Sequence, residues 1–266
     1  MSGFKGRVLA IAGSDSGGGA GVQADIKTIT ALGGYAMSAI TAVTVQDTLG
    51  VSAVHPIPPA IIAAQIRAAL ADIGADAIKT GMLGDAEAIE ATIEALAGFP
   101  GVPLVVDPVM VAKGGASLLA ADGLAPLRKL LATASLVTPN APEAAVLTGL
   151  AVQTTDDLRR AGEALLTAGV RAVLMKGGHV PGESVIDILM TPHGETVFEG
   201  PRIATRHTHG TGCTLASACA TGLALGLEAQ EAVGRAWAYV AEAIRRAPGL
   251  GVGAGPLDHG WPLRSR

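Results

Sequence analysis

Apolar residues along this chain come in short continuous runs, and the runs are separated by stretches with helical spacing. Arg7-Val-Leu-Ala-Ile-Ala12 reads as a strand buried on both faces that ends in a glycine-rich turn, with a helix from Val22 to Leu32 behind it. Ala36 to Val45 reads as a second strand, closed by the polar turn Gln46-Asp47-Thr48. Pro58 to Ala71 is a helix with proline in its first turn, where the missing N–H costs nothing. Next come a short strand at Ala77 to Lys79, an amphipathic helix opened by Asp85 and running to Ala97, and a continuous apolar strand from Val102 to Val106. Further strands are expected at Leu136 to Thr138, Ala172 to Met175 and Ser184 to Leu189, with helices at Glu143 to Thr148 and Thr155 to Ala168. Two helices, Thr214 to Leu225 and Ala229 to Arg246, close the pattern. Buried strands alternating with helices specify an α/β fold with a parallel sheet covered on both faces. Ligands of such sheets bind beyond the carboxyl ends of the strands, so chemistry is expected in the segments that follow strands.

Composition narrows this picture. Of 266 residues 49% are hydrophobic but only 3% aromatic, so the core is built from Ala, Val, Leu and Ile. No shift in composition marks a boundary, and residues 1–266 read as a single domain. A net charge of −4 with 19 Lys plus Arg and no basic run leaves no electrostatic footprint for nucleic acid. The apolar run Val8 to Ala12 is too short for a signal peptide, and the other runs fall short of a membrane span. A cytoplasmic protein without a membrane partner is the expectation. Cys213 and Cys219 lie six apart on a helix and face different ways, which excludes a zinc pair or a disulfide between them and fits a reducing compartment.

Thirty-six glycines are about twice the average usage. Many cluster where strands end or helices start: GSDSGGGAG after Ala12, TGML after Lys79, KGGH after Met175 and THGTGC before Thr214. Glycine there lets backbone N–H groups approach a ligand. Neither a dinucleotide fingerprint nor a Walker A loop is present, and Gly13-Ser-Asp-Ser-Gly17 carries Asp15 where a nucleophile elbow needs serine. Gly210-Thr-Gly-Cys213 precedes an apolar helix, so its N–H groups form an anion hole at the positive end of the helix dipole. The same dipole is expected to lower the Cys213 thiol and favour its thiolate. Lys176, at a strand's carboxyl end, can reach a phosphate, and Asp107 and Glu143 are candidates to hold Mg²⁺ through water. Glu143 can equally serve the dipole of the helix it opens. His179, His207 and His209 lack metal-ligand spacing and read as structural.

In order along the chain, AGSDSGGGAGVQADIKT, ITAVTVQDTLG, KTGML, VVDPVMVAKGG, LVTPNAPEA, LMKGGH and THGTGCTLASA resemble the hydroxymethylpyrimidine and phosphomethylpyrimidine kinases of thiamine biosynthesis. The resemblance runs from about Val8 to the closing GVGAGPLDH. It implies a ribokinase-like three-layer α/β/α sandwich with a mostly parallel sheet, a homodimer, and ATP with Mg²⁺, a monovalent cation being a further candidate. It assigns Gln46 to the aminopyrimidine edge, with Gly13, Ala20, Met82 and Val109 lining the same pocket and Asp25 assisting. The GTGC turn, through Gly210, Thr211 and Gly212, would hold the transferring phosphoryl group, and Lys176 the ATP phosphates. Asn140 and Glu143, in an N-x-x-E pattern, would order Mg²⁺ together with Asp107, and Cys213 would accept the hydroxymethyl proton. One departure is His207, where relatives often carry asparagine. The activity implied is phosphorylation of hydroxymethylpyrimidine to its monophosphate and then its diphosphate. The alternatives are a pyridoxal or pyridoxine kinase of the same fold and a non-catalytic pyrimidine-binding protein.

Overall fold

A computed structural model describes residues 5–112 and 115–264; Met1 to Phe4 and the Lys113-Gly114 pair of the VVDPVMVAKGG segment lie outside the described residues. The strands are β1 (Arg7–Asp15), β2 (Tyr35–Gln46), β3 (Val51–Pro56), β4 (Ala77–Thr80), β5 (Leu104–Val106), β6 (Leu136–Val137), β7 (Val173–Met175), β8 (Ser184–Thr191) and β9 (Gly194–Pro201). They form one sheet in the order 3-2-1-4-5-6-7-8-9. β2, β1, β4, β5, β6 and β7 pair in parallel, and the antiparallel pairs β2 with β3, β7 with β8 and β8 with β9 close the two edges. The order reverses between β1 and β4, which is where a doubly wound sheet opens a crevice.

Both faces of the sheet are covered. In β1, Leu9 and Ile11 join one apolar cluster while Val8 joins the other; in β5, Leu104 and Val106 face the first cluster and Val105 the second. This period of two within a fully apolar run distinguishes a strand buried on both sides from one with a wet face. One layer holds α2 (Pro59–Asp72), α3 (Ala86–Ala97), α4 (Leu124–Thr133), α5 (Ala141–Thr148) and α6 (Thr155–Thr167), whose Ile62, Ile89, Leu130, Ala144 and Leu158 are almost completely buried. The opposite layer holds α1 (Gly21–Ala31), α7 (Thr211–Ala224) and α8 (Ala229–Arg245), through Ile29, Leu215 and Val233. A short α9 (Trp261–Arg264) stacks its tryptophan on Tyr239.

Four elements add to those expected from the sequence. β3 and β9 are edge strands with mostly exposed side chains, so they carry no apolar run to announce them. α4 buries Leu127, Leu130 and Leu131 at helical spacing, and its Pro126 is tolerated in the first turn; α9 is a single turn. Two boundaries also move in ways that matter for the site. β1 continues through Gly13 to Asp15, and α7 begins at Thr211, three residues before the expected start, which places the GTGC residues inside its first turn.

Candidate active site

The carboxyl ends of the parallel strands lie side by side, so sheet order becomes site order. Across the sheet stand Gln46 at the end of β2, Gly13 to Asp15 at the end of β1, Met82 just beyond β4, Asp107 and Val109 beyond β5, Asn140 beyond β6 and Lys176 beyond β7. α7 packs against β1, β4 and β5, which brings its first turn over the middle of this row.

Gly210 is the N-cap of α7, with φ +81. A Cβ there would stand 1.8 Å from the carbonyl oxygen of Gly19, so the GTGC turn and the GSDSGGGAG loop meet backbone to backbone. Gly212 faces the charged end of the row: a Cβ built on it would lie 3.3 Å from Lys176 Nζ and 3.5 Å from Asp107 Oδ2. Helix-start N–H groups, an ammonium and a carboxylate therefore converge on one small cradle.

Lys176 is buried and donates to Asp107 Oδ1 at 2.8 Å, with Glu143 Oε2 3.9 Å away. Burial works against its charge, yet Asp107 and Glu143 hold the ammonium above its ordinary value. Asp107 Oδ1 also accepts from Thr138 Oγ1 at 3.1 Å. Asn140 and Glu143 form a capping box at the start of α5: Asn140 Oδ1 accepts from Glu143 N at 2.9 Å, and Glu143 Oε2 accepts from Asn140 N at 2.8 Å. The N-x-x-E pattern thus has a helix-capping role of its own. Burial, with Asp107 adding to it and Lys176 opposing it, pushes the Glu143 carboxyl up to about 7. As a donor set, two buried carboxylates beside a phosphate cradle fit Mg²⁺, which takes one or two carboxylates and keeps water and phosphate as its other ligands.

Two sequence-based expectations change here. Asp25 does not reach the pocket: it is fully buried, and its carboxylate accepts from Lys79 Nζ at 2.8 and 2.9 Å and from Ser217 Oγ at 2.6 Å. Its carboxylate is committed beneath the site to an ion pair and a hydroxyl rather than turned toward a substrate. Cys213 sits half-buried in the first turn of α7 as expected, but burial outweighs the helix dipole and pushes its thiol up to about 11, with the Lys79 ammonium pulling the other way. Cys213 is therefore a thiol at neutral pH. Both cysteines are free.

At the other end of the row, Gly13 leaves room for Met82, whose Sδ would lie 3.0 Å from a Cβ on that glycine. Ala20 is the N-cap of α1 and donates its N–H to Asp15 Oδ2 at 2.7 Å. Val109 is half-buried, two residues beyond Asp107. Gln46 is half-buried, and its side chain meets Thr44 and His209. Three residues were not assigned to the site from the sequence. Asp15 is buried and accepts from the N–H groups of Gly17, Gly19 and Ala20 and from His209 Nε2. Burial disfavours its charge, but His209 and those N–H groups hold the carboxyl below its ordinary value. His209, read as structural, lies beside Gln46. Lys79 is a fully buried lysine in a buried strand, a pattern that demands a buried partner and so points to Asp25.

Comparison with known proteins adds the following. The model of the family described as phosphomethylpyrimidine kinase matches residues 15–258. A hydroxymethylpyrimidine/phosphomethylpyrimidine kinase of Streptomyces coelicolor is 51% identical over 257 residues, covering 96% of this chain and 95% of the relative. Among solved structures, a phosphomethylpyrimidine kinase from Clostridium difficile is 45% identical, with a TM-score of 0.80 over 90% of this chain and 99% of that one. A Bacillus subtilis pyridoxal kinase in complex with ADP is 35% identical, with a TM-score of 0.91 over 99% of this chain and 100% of that one.

Proposed function

The chain belongs to the phosphomethylpyrimidine kinase family, and from that premise we propose that it uses ATP to phosphorylate 4-amino-5-hydroxymethyl-2-methylpyrimidine to the monophosphate and then to the diphosphate, in thiamine biosynthesis. The observation that carries the chemistry is the cradle under Gly212, where the first turn of α7, Lys176 and Asp107 meet within the reach of one methyl group.

Phosphoryl transfer asks the protein mainly for positioning and charge neutralisation. Gly210, Thr211 and Gly212 direct helix-start N–H groups at the moving phosphoryl group, and Lys176 supplies the compact positive charge beside it. Asn140 and Lys176 flank the ATP phosphates; they pair in an isolated parallel bridge, in which Lys176 N donates to the O of the neighbouring Pro139 at 2.9 Å. Glu143 and Asp107 would hold Mg²⁺, which supplies neutralisation of the β- and γ-phosphates when bound. Gln46 reads the pyrimidine edge at the far end of the row, with Gly13, Ala20, Met82 and Val109 around the ring.

Cys213 lies between the two ends and takes the hydroxymethyl proton in the first step, through the thiolate fraction available to a thiol near 11. In the second step the nucleophile is already a phosphate and needs no base. The exposed apolar side chains of Val43, Val45 and Val54 on the β2–β3 ribbon support a homodimer. No helix among the described residues is long and apolar enough to cross a membrane, and the proposed compartment is the cytoplasm. One sheet holding the nine strands of the described residues, from Arg7 to Pro201, with α7 packed on it, supports a single catalytic unit over 1–266.

The test is ADP release with the hydroxymethylpyrimidine, its monophosphate and pyridoxal as acceptors. Turnover of both pyrimidines well above that of pyridoxal is expected. Pyridoxal as much the best acceptor would overturn the assignment, and no ADP release with any of the three would favour a binding protein.

A further inference from the structure

Gln46 meets two neighbours whose hydrogens can be assigned. His209 is buried, and its Nε2 lies 2.9 Å from Asp15 Oδ2. Asp15 is held as a carboxylate by three backbone N–H donors, and a carboxylate only accepts. His209 Nε2 must therefore carry a hydrogen, whether the ring is neutral or charged. On the other side, Thr44 Oγ1 donates its single hydrogen to Ser14 O at 2.8 Å, so toward Gln46, 3.1 Å away, it can only accept.

With its amide nitrogen 3.4 Å from His209 Nε2, Gln46 would set two N–H donors against each other and leave its oxygen facing an oxygen with no hydrogen to give. Exchanging the two ends of the amide, which are nearly equal in size, removes both conflicts at once. The amide oxygen then faces the His209 Nε2 hydrogen and shares it with Asp15 Oδ2, and the amide nitrogen donates to Thr44 Oγ1. We infer that Asp15, His209 and Thr44 form a positioning network that locks the Gln46 amide in this one orientation, and that the locked amide selects a ring edge with an acceptor nitrogen beside an amino donor.

The consequence concerns specificity. The locked amide turns one remaining N–H and one remaining oxygen lone pair toward the ligand, side by side. A 4-aminopyrimidine edge complements them, with its ring nitrogen accepting and its amino group donating. The 4-oxo analogue reverses both roles, placing a ring N–H opposite the amide N–H and a carbonyl opposite the amide oxygen. A free glutamine would rotate its amide and accept either ring; a locked one rejects the second. The ring cannot turn over instead, because its hydroxymethyl arm has to face Cys213.

This inference rests on the pyrimidine reading of the site, and the experiment separates the two. Titration calorimetry without ATP measures binding of 4-amino-5-hydroxymethyl-2-methylpyrimidine and of its 4-oxo counterpart to the wild type, to His209→Leu and to Thr44→Val. The wild type is expected to prefer the amino ring by about 10³-fold or more, as sites built on paired polar groups do. Each substitution frees the amide, and the preference is expected to fall by roughly tenfold or more, partly through a gain in affinity for the 4-oxo ring. A loss of affinity for both rings in equal proportion, or an unchanged ratio in the variants that melt like wild type, overturns the orienting role while leaving the kinase reading intact. A wild type that binds neither ring defeats the kinase reading and this inference together. Thr44→Val keeps the shape of the side chain, so it decides the matter if the buried His209 does not tolerate leucine.

Discussion

Replacing Gly212 with alanine separates phosphate binding from folding. Gly212 is outside the left-handed region of backbone space, so alanine fits its conformation. The new methyl would lie 3.3 Å from Lys176 Nζ and 3.5 Å from Asp107 Oδ2. The first distance is tight, but the neighbour is the end of a flexible side chain that can yield by a few tenths of an ångström. Alanine in a helical turn is worth up to about 1 kcal/mol over glycine, which offsets that adjustment. Stability should therefore stay close to that of the wild type. The methyl nevertheless occupies the cradle in which the proposed function places a phosphoryl oxygen, between the helix N–H groups and the ammonium. Loss of one such pre-organised contact typically costs about 10²- to 10³-fold in rate, and that is the expected fall in kcat. ADP release coupled to a spectrophotometric readout measures it, with a thermal melt alongside. A variant that melts like wild type and keeps its kcat within about threefold would show that the phosphoryl group does not visit this cradle. Gly210→Ala makes the contrast, since its Cβ would stand 1.8 Å from a backbone oxygen at positive φ, and it should fail in the melt itself.

Breaking the Lys79–Asp25 pair by Lys79→Met should cost roughly 3–5 kcal/mol, because a carboxylate is left buried without its ammonium. Adding Asp25→Leu should recover much of the loss in a denaturant titration, and a double variant no more stable than Lys79→Met would refute the account. With the Cys213 thiol near 11, kcat for the first phosphorylation should climb up to about tenfold per pH unit between pH 6 and 9. Under the same conditions the second step should stay nearly flat; Cys213→Ala should lower the first step more than the second and abolish its slope, and equal losses in both steps would leave Cys213 only a spatial role. His259 is buried against Thr214 Oγ1 at 3.0 Å, and burial lowers its imidazole to about 4. The unfolded chain takes up this proton near 6.5 and the folded chain only near 4, so stability falls as pH drops through that window, by roughly 3 kcal/mol in all. His259→Gln should flatten the dependence of Tm on pH between 6.5 and 4; an unchanged slope would assign it to other groups.

Strands buried on both faces were legible in the sequence, and edge strands with exposed side chains were silent. β1 and β5 announce themselves because both faces of each strand are dry. β3 and β9 show mostly exposed side chains at the two edges, and their pairing comes from the neighbouring strand rather than from their own pattern. The site divides in a similar way. Residues attached to a backbone device, the GTGC turn above all, could be placed at the end of a strand or the start of a helix from spacing alone. Asp25 and His209 could not, because what each does depends on partners 54 and 163 residues away, Lys79 and Gln46. A QAD segment near a pocket suggests a ligand contact; only the packing of α1, β4 and α7 shows that its carboxylate is turned into the core.

The relation of this fold to its substrates follows from the same division. In the proposed function a flat ring with a hydroxymethyl arm lies across the strand ends that the sheet and its helices bring together, arm toward Cys213 and phosphate cradle beyond. A pyridine and a pyrimidine satisfy that requirement equally, so backbone likeness carries little information about which one is used. The choice is made where the ring's own donors and acceptors are read, at a single amide whose two ends differ only in hydrogen bonding. Such a group discriminates only if it is prevented from turning. In this chain the restraint comes from a carboxylate in the first glycine-rich loop and a histidine in the last, so the two loops that appear merely to frame the pocket also determine which ring edge it accepts.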